Sequence, residues 1–143
     1  ALLAATIAAA LLAPPALSAQ TLAVASITPK VLLVVDAKAY RKDGARHIYA
    51  AFKDQIYKGK LPPLIHAIVV AEIDVDAAGN VRGVHMIRTP SHAPDVTERV
   101  REMIRKVSPL PAPARLGGTK YLDIWLVDKS GRFQLDTLTE GQR

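Results

Sequence analysis

The alternation of hydrophobic and polar positions is clearest between residues 65 and 80. One face of this stretch is entirely apolar and consists of Ile65, Ala67, Val69, Ala71, Ile73 and Val75. The other face ends in the carboxylates Glu72, Asp74 and Asp76. A period of two predicts a strand with one face in the core. Residues 76–80 (Asp-Ala-Ala-Gly-Asn) are typical of a tight turn, and residues 81–87 then predict the second strand of a hairpin.

Two stretches have the residue spacing of amphipathic helices. The first begins at Asp43-Gly44, repeats apolar residues at Ile48, Phe52 and Ile56, and ends before Gly59. The second begins at Asp95, which is placed as an N-cap with Glu98 three residues later, as in a capping box. Its apolar stripe consists of Val96, Val100, Met103, Ile104 and Val107. The residues off that stripe predict a basic, solvated face of Arg99, Arg101, Arg105 and Lys106.

The remaining segments complete a small α+β fold. Residues 31–35 form an apolar run that predicts either a peripheral strand or a packed lead-in, and residues 108–113 are proline-rich and extended. Residues 121–127 give the strongest strand signal, and residues 132–138 predict a short closing strand. The order helix, strand, strand, helix, strand predicts an antiparallel sheet of three to four strands with both helices on one face. Trp125, the only tryptophan, either packs under a helix, which is favoured, or is presented to a partner.

The start of the chain has a different composition from the rest. No charged residue precedes Lys30, and residues 1–13 form an apolar run that ends at Pro14-Pro15. We interpret residues 1–25 as a signal peptide, cut after Ala25 or after Ala19, with a truncated inner-membrane anchor as the alternative. Residues 26–42 are then a lead-in segment and residues 43–143 are the folded domain. The predicted location is the periplasm.

Length, charge and motif content limit the functions that are expected. A chain of 143 residues allows one small domain, and its 19 Lys and Arg against 13 Asp and Glu give a net charge of +6. Export and the scattered basic residues argue against a nucleic-acid partner. The absence of cysteine from the sequence excludes disulfides and thiolate chemistry. No catalytic, metal-binding or cofactor-binding motif is recognisable, so we expect a protein that is not an enzyme and has no cofactor, and a small hydrolase is the weakest alternative.

The ordered elements between Leu61 and Val127 resemble the TonB C-terminal domain and the related TolA C-terminal domain. The resemblance is carried by Leu61-Pro62-Pro63, by the strand, Asp-x-x-Gly turn and strand of residues 69–81, by the helix of residues 96–107 and its Ser108-Pro109-Leu110-Pro111 exit, and by Ile124-Trp125-Leu126. The resemblance implies a periplasmic module that pairs with an extended segment of an outer-membrane receptor at a sheet edge. The family's transducers have a long spacer, whereas about seventeen residues separate Ala25 from Asp43 here. Because that tether is short, we expect a free domain that does not transmit force.

The predicted binding residues follow from this resemblance and from the basic helix face. For sheet-edge pairing with a protein or peptide they are Tyr121, Asp123, Trp125, Phe133 and Leu135, and for the helix face they are Arg99, Arg101 and Arg105. The residues after Gly131 are called the tail. If the tail folds back along residues 121–127 through Phe133, Leu135 and Leu138, it would occupy the edge that a receptor strand would use. The alternative function is an envelope assembly factor that binds an anionic polymer or lipid headgroup through the helix face. Edge pairing of two copies is a further option for so small a sheet.

Overall fold

Four antiparallel strands form one sheet in the order β2-β1-β3-β4. The computed structural model describes residues 29–143, so the predicted signal peptide lies outside the described residues. The strands are β1 (Ala67–Asp76), β2 (Val81–Arg88), β3 (Gly118–Val127) and β4 (Phe133–Leu135). β1 and β3 pair along their full length, from Ala67 opposite Val127 to Asp76 opposite Gly118. The α+β class with a small antiparallel sheet is confirmed, and the closing strand makes the number of strands four.

The alternation predicted for β1 is present in the structure. Its residues are alternately buried and half-buried from Ala67 to Asp76. The hairpin turn also forms where predicted: the Gly79 N–H donates to the Asp76 carbonyl, and Gly79 has a φ of 94°. A side chain at position 79 would collide with the backbone of Leu110, because an added Cβ would lie 2.0 Å from the Leu110 carbonyl oxygen. Glycine is therefore required both for the turn and for the close approach of the segment that follows the second helix.

The carboxylate of Asp76 organises the turn. It accepts hydrogen bonds from the backbone N–H groups of Ala78 and Asn80, and from the Arg82 guanidinium at 2.8 Å. Partial desolvation raises the pKa of Asp76, but the hydrogen bonds from Asn80, Arg82 and Ala78 act in the opposite direction and leave it below its usual value. These bonds therefore stabilise the ionised form, and their contribution depends on pH.

Acidification is expected to weaken this hairpin. Because the folded-state pKa of Asp76 is lowered, its contribution to stability is present at neutral pH and is lost as the pH falls below about 4. Urea midpoints at pH 7 and pH 3 should therefore differ less for Asp76→Ala than for the unmodified chain. The matched control is Glu102→Ala, which removes an exposed carboxylate from another element and should leave the pH dependence unchanged. An equal pH dependence in the unmodified chain and in Asp76→Ala would contradict this assignment.

The first helix, α1 (Pro29–Ala51), is longer at its start and shorter at its end than predicted. The Asp43-Gly44 pair does not open it but lies in its interior. Residues 31–35 are helical, so of the two alternatives for them the peripheral strand was wrong. Gly44 is buried against the Tyr121 ring, where an added Cβ would lie 3.1 Å from Cε1. Its role is therefore close packing and not chain reversal.

The end of α1 differs from the prediction because Ile56 belongs to the sheet region. A 3-10 turn, Lys53–Gln55, follows α1, and Ile56 then forms a parallel bridge with Phe133 of β4. The helical spacing of Ile48, Phe52 and Ile56 was therefore misleading for its last member. A backbone bond from the Tyr57 N–H to the Phe133 carbonyl, 2.9 Å long, fixes the chain in this extended conformation.

The second helix, α2 (Pro94–Lys106), has the predicted buried stripe but not the predicted cap. Its N-cap is Ala93 and no side chain caps it, so the capping box of Asp95 and Glu98 does not form. Pro94 occupies the first turn, where its fixed φ suits the helix and its missing N–H costs nothing. Asp95 consequently lies inside the first turn, where a negative charge is favourable.

Both helices contribute to one core on a single face of the sheet. α1 provides Tyr40, Ala45 and Ile48, and α2 provides Val96, Val100, Met103 and Ile104. The sheet contributes the odd-numbered residues of β1 together with Tyr121, Trp125 and Val127 of β3. Trp125 is 1% exposed, so the favoured prediction that it packs in the core is correct. Its ring lies against that of Phe133, with centroids 4.7 Å apart.

The opposite face of the sheet is charged at the hairpin end. Lys120 lies 3.3 Å from Glu72 and 3.8 Å from Asp74, and His85 lies 2.9 Å from Asp74. Each of these carboxylates therefore has a cationic partner on a neighbouring strand. Within residues 29–143, no helix has the length and apolar character needed to cross a membrane.

Candidate protein-docking edge

The β4 edge of the sheet is covered by the chain itself. β4 pairs with β3, with Leu135 opposite Trp125 and Phe133 opposite Val127. On the outer side of β4, the Ile56 bridge and the Tyr57 N–H bond occupy the backbone of Phe133. The tail therefore folds back along β3, as the sequence analysis considered, and another segment covers the tail in turn.

Gln134 fastens this covered edge. It is 1% exposed, and its amide nitrogen donates to the carbonyls of Tyr57 and Gly59 at 2.9 and 2.7 Å. Its amide oxygen accepts from the Thr139 hydroxyl and the Glu140 N–H. A buried amide with both ends satisfied holds three chain segments together. A partner strand would have to displace all of these bonds to pair with β4.

The five residues predicted for sheet-edge pairing are all buried. Their exposed fractions are 0% for Tyr121, 2% for Asp123, 1% for Trp125, 1% for Phe133 and 0% for Leu135. The structure brings them together, but under the helices and the tail. Their side chains stabilise the fold and are not accessible to a partner in this conformation.

Asp123 is the centre of a buried polar cluster that the sequence analysis did not foresee. Its carboxylate accepts the Tyr121 hydroxyl at 2.6 Å, the Ile124 N–H at 2.9 Å and the Thr137 N–H at 3.3 Å. Burial, reinforced by the charge and hydrogen bond of Asp123, raises the pKa of Tyr121 well above its usual range. Burial also raises the pKa of Tyr40 to about 12. Both phenols therefore stay neutral, and Asp123 connects β3 to the tail.

The predicted basic face of α2 is only partly available. The Arg99 guanidinium donates to the Gly131 carbonyl and to Gln55 Oε1, both at 2.7 Å, so it holds the turn between β3 and β4. Arg101 is half-buried and forms an ion pair with Glu98 at 3.3 Å. Arg105 and Lys106 are exposed. The helix therefore presents two exposed basic side chains at its end and not a continuous basic surface.

The outer edge of β2 is the sheet edge that remains open in the described part of the chain. β2 is the terminal strand, and it pairs with β1 alone. The Val81 N–H donates to the Ser108 hydroxyl, but residues 82–88 form no backbone bond on their outer side within residues 29–143. Unpaired backbone groups of this kind are a template for a further strand.

Two β-bulges limit the open edge to a short regular window. The register with β1 shifts next to Arg82 and next to Ile87, which leaves Gly83–Met86 in regular pairing. Bulges at edge strands restrict uncontrolled association. The window has room for a short segment, and it is flanked by the exposed side chains of Arg82 and Arg88.

Comparisons with known proteins identify no relative. No family model, no curated protein and no solved structure matches the chain. The resemblance to TonB C-terminal domains therefore stays a hypothesis. In residues 29–143, no three His, Cys, Asp or Glu side chains are arranged so that they could hold a metal ion.

Proposed function

We propose that this chain is a non-enzymatic periplasmic binding module that pairs with an extended segment of a partner protein at the outer edge of β2. The observation that carries the proposal is the asymmetry of the sheet: β4 is covered by residues 56–57 and by the tail, whereas β2 has no strand on its outer side within residues 29–143. Backbone pairing provides affinity in such complexes, and side chains provide selectivity. The periplasmic setting rests on the apolar, uncharged start of the chain.

The side chains of β2 favour an acidic partner segment. β2 contains Arg82, His85 and Arg88 but no carboxylate. Arg82 and His85 are engaged by Asp76 and Asp74 of β1, so Arg88 is the free charge of the strand. A partner segment with an acidic side chain beside Arg88 would gain a charge-assisted hydrogen bond.

The proposal is tested by selecting displayed random decapeptides on the full chain and measuring the best synthetic peptide by calorimetry. Successive backbone N–H groups of a strand point to opposite sides, so either His85 or Met86 donates away from β1. Proline has no N–H, so one of the variants His85→Pro and Met86→Pro removes a donor from the open edge. We expect that variant to remain folded and to lose about tenfold or more in affinity, since several hydrogen bonds of about 1 kcal/mol each depend on the pairing.

The control is Leu64→Ser, which removes an apolar side chain that is 82% exposed and lies outside β2. Its affinity should equal that of the unmodified chain, and moderate salt should change the affinity little because backbone bonds dominate. A selected peptide that binds the folded proline variant as tightly as the unmodified chain, or that loses affinity equally with Leu64→Ser, would overturn the proposal.

A further inference from the structure

A pocket of about 320 Å³ lies at the end of the sheet where β1 begins and β2 finishes. Its walls are formed by Ile65–Ile68 on one side and by the connection from Arg88 to His92 on the other. The polar side chains among them are Arg88, Thr89, Ser91, His66 and His92. No carboxylate lines the pocket, so its polar groups are either cationic, protonatable or hydroxyl donors.

The two histidines are held in a defined arrangement. Their rings meet edge to face with centroids 5.5 Å apart, and His92 Nε2 lies 2.6 Å from the carbonyl oxygen of His66. Because a carbonyl only accepts, Nε2 of His92 must carry the proton of that bond. Protonation of the ring then adds a donor at Nδ1, which has no hydrogen-bond partner in the part of the chain described.

Arg88 differs from Arg82 and Arg99, whose guanidinium groups are bonded within the fold. Arg82 is bonded to Asp76, and Arg99 is bonded to Gly131 and Gln55. The Arg88 side chain is exposed, and among residues 29–143 it has no hydrogen bond or ion pair. An unengaged guanidinium beside two imidazoles matches the fork-like hydrogen bonding of a tetrahedral oxyanion.

The nearby charges leave the pocket positive. Asp128 is the acidic group that faces His66, and hydrogen bonds within its own turn, together with the charge of His66, lower the pKa of Asp128. Its side chain is occupied in the turn through a 3.1 Å bond from the Ser130 N–H. At the same end of the sheet, Lys53, Lys58 and Arg132 line a second depression with one carboxylate, Asp54.

We propose that the pocket formed by Arg88, His66 and His92 binds a phosphate group of a phosphate ester. The group is supplied either by a soluble phosphate ester or by a lipid headgroup. This site uses side chains at the end of the sheet and not the backbone edge of β2, and Arg88 is the residue that the two proposals share.

The first test follows the imidazole and backbone signals of the full chain by NMR during titration with sulfate. Sulfate is a suitable probe because it has the shape of phosphate and keeps its charge between pH 5.5 and pH 7.5. Saturable shifts are expected at residues 88–92 and at His66 because these residues line the pocket. Sodium chloride at equal ionic strength should give no saturable shift.

The matched variants are Arg88→Gln and Arg105→Gln, which each remove one positive charge from an exposed arginine. Arg88→Gln should weaken sulfate binding about tenfold or more, because a charge-assisted donor pair is lost, whereas Arg105→Gln should leave it nearly unchanged. Equal weakening in the two variants or the absence of saturable shifts would overturn the proposal.

The second test identifies the source of the phosphate. Glycerol 3-phosphate is titrated as the soluble ester, and vesicles of phosphatidylcholine with and without phosphatidic acid are used for flotation. If a probe binds the unmodified chain and Arg105→Gln but not Arg88→Gln, the result supports the site. The probe that binds in this way identifies the source of the phosphate group. Binding of neither probe at pH 5.5 would overturn the proposal.

Discussion

A chain that ends after Ser130 is expected not to fold. Deletion of residues 131–143 removes Phe133 and Leu135, which are 1% and 0% exposed, and it removes the bonds of Gln134 to Tyr57 and Gly59. Each large apolar side chain taken from a core costs about 2 to 5 kcal/mol. The sum approaches the 5–15 kcal/mol that typically stabilises a whole domain. Urea unfolding followed by tryptophan fluorescence should show no cooperative transition.

The control is a chain that ends after Glu140. It loses the Leu61 bridge to Gln142 but keeps β4, Gln134 and the bonds of Glu140. This chain should unfold cooperatively with a modestly lower midpoint. If the chain that ends after Ser130 had the same midpoint as the full chain, the tail would be a removable cover over β3, and the edge used for docking would have to be reconsidered.

Replacement of Asp123 is expected to have the second largest effect. In Asp123→Ala, the Tyr121 hydroxyl and the N–H groups of Ile124 and Thr137 lose their acceptor. Each buried unsatisfied group costs about 1–3 kcal/mol, so we expect a loss of about 3 kcal/mol or more in the free energy of unfolding. Asp123→Asn keeps one acceptor oxygen and should lose less. Both values are measured by urea unfolding at pH 7.

A double-mutant cycle separates this network from simple loss of volume. Tyr121→Phe removes the hydroxyl that loses its acceptor, so it should cost less in the Asp123→Ala background than in the unmodified chain. The expected coupling is about 1 kcal/mol or more. Additive effects of the two substitutions would show that the 2.6 Å bond between Tyr121 and Asp123 does not contribute to stability.

Local patterns predicted the central elements of the fold because those elements follow periodicity. The alternation in β1, the Asp76 to Asn80 turn and the apolar stripe of α2 each depend on neighbouring residues, and each was found where expected. The boundaries of α1 were not predicted because they depend on distant partners. Gly44 has the signature of a turn in the sequence, but in the structure it accommodates the Tyr121 ring.

The accessibility of the predicted site could not be deduced from sequence for a similar reason. The hypothesis that the tail pairs along β3 is confirmed for Phe133 and Leu135, whereas Leu138 lies in a 3-10 turn, Asp136–Leu138. The cover over the tail depends on Gln134, whose amide contacts residues more than seventy positions earlier. No local signal distinguishes such a buried glutamine from an exposed one. The same reason applies to Arg99. Its position off the apolar stripe of the helix predicted a solvated side chain, but its guanidinium is bonded to Gly131 and Gln55. Which edge of the sheet is open therefore depends on these long-range contacts, and local sequence patterns do not predict it.

The central claim is that β2 is the edge at which a partner strand pairs. It is tested most directly by amide hydrogen exchange, measured residue by residue by NMR on the full chain, before and after addition of the selected peptide. Without peptide, alternate amides of Gly83–Met86 should exchange rapidly while those of Tyr57 and Leu135 are protected, and the peptide should protect the β2 amides alone. Protection that appears at residues 131–138, with no change in β2, would contradict the account.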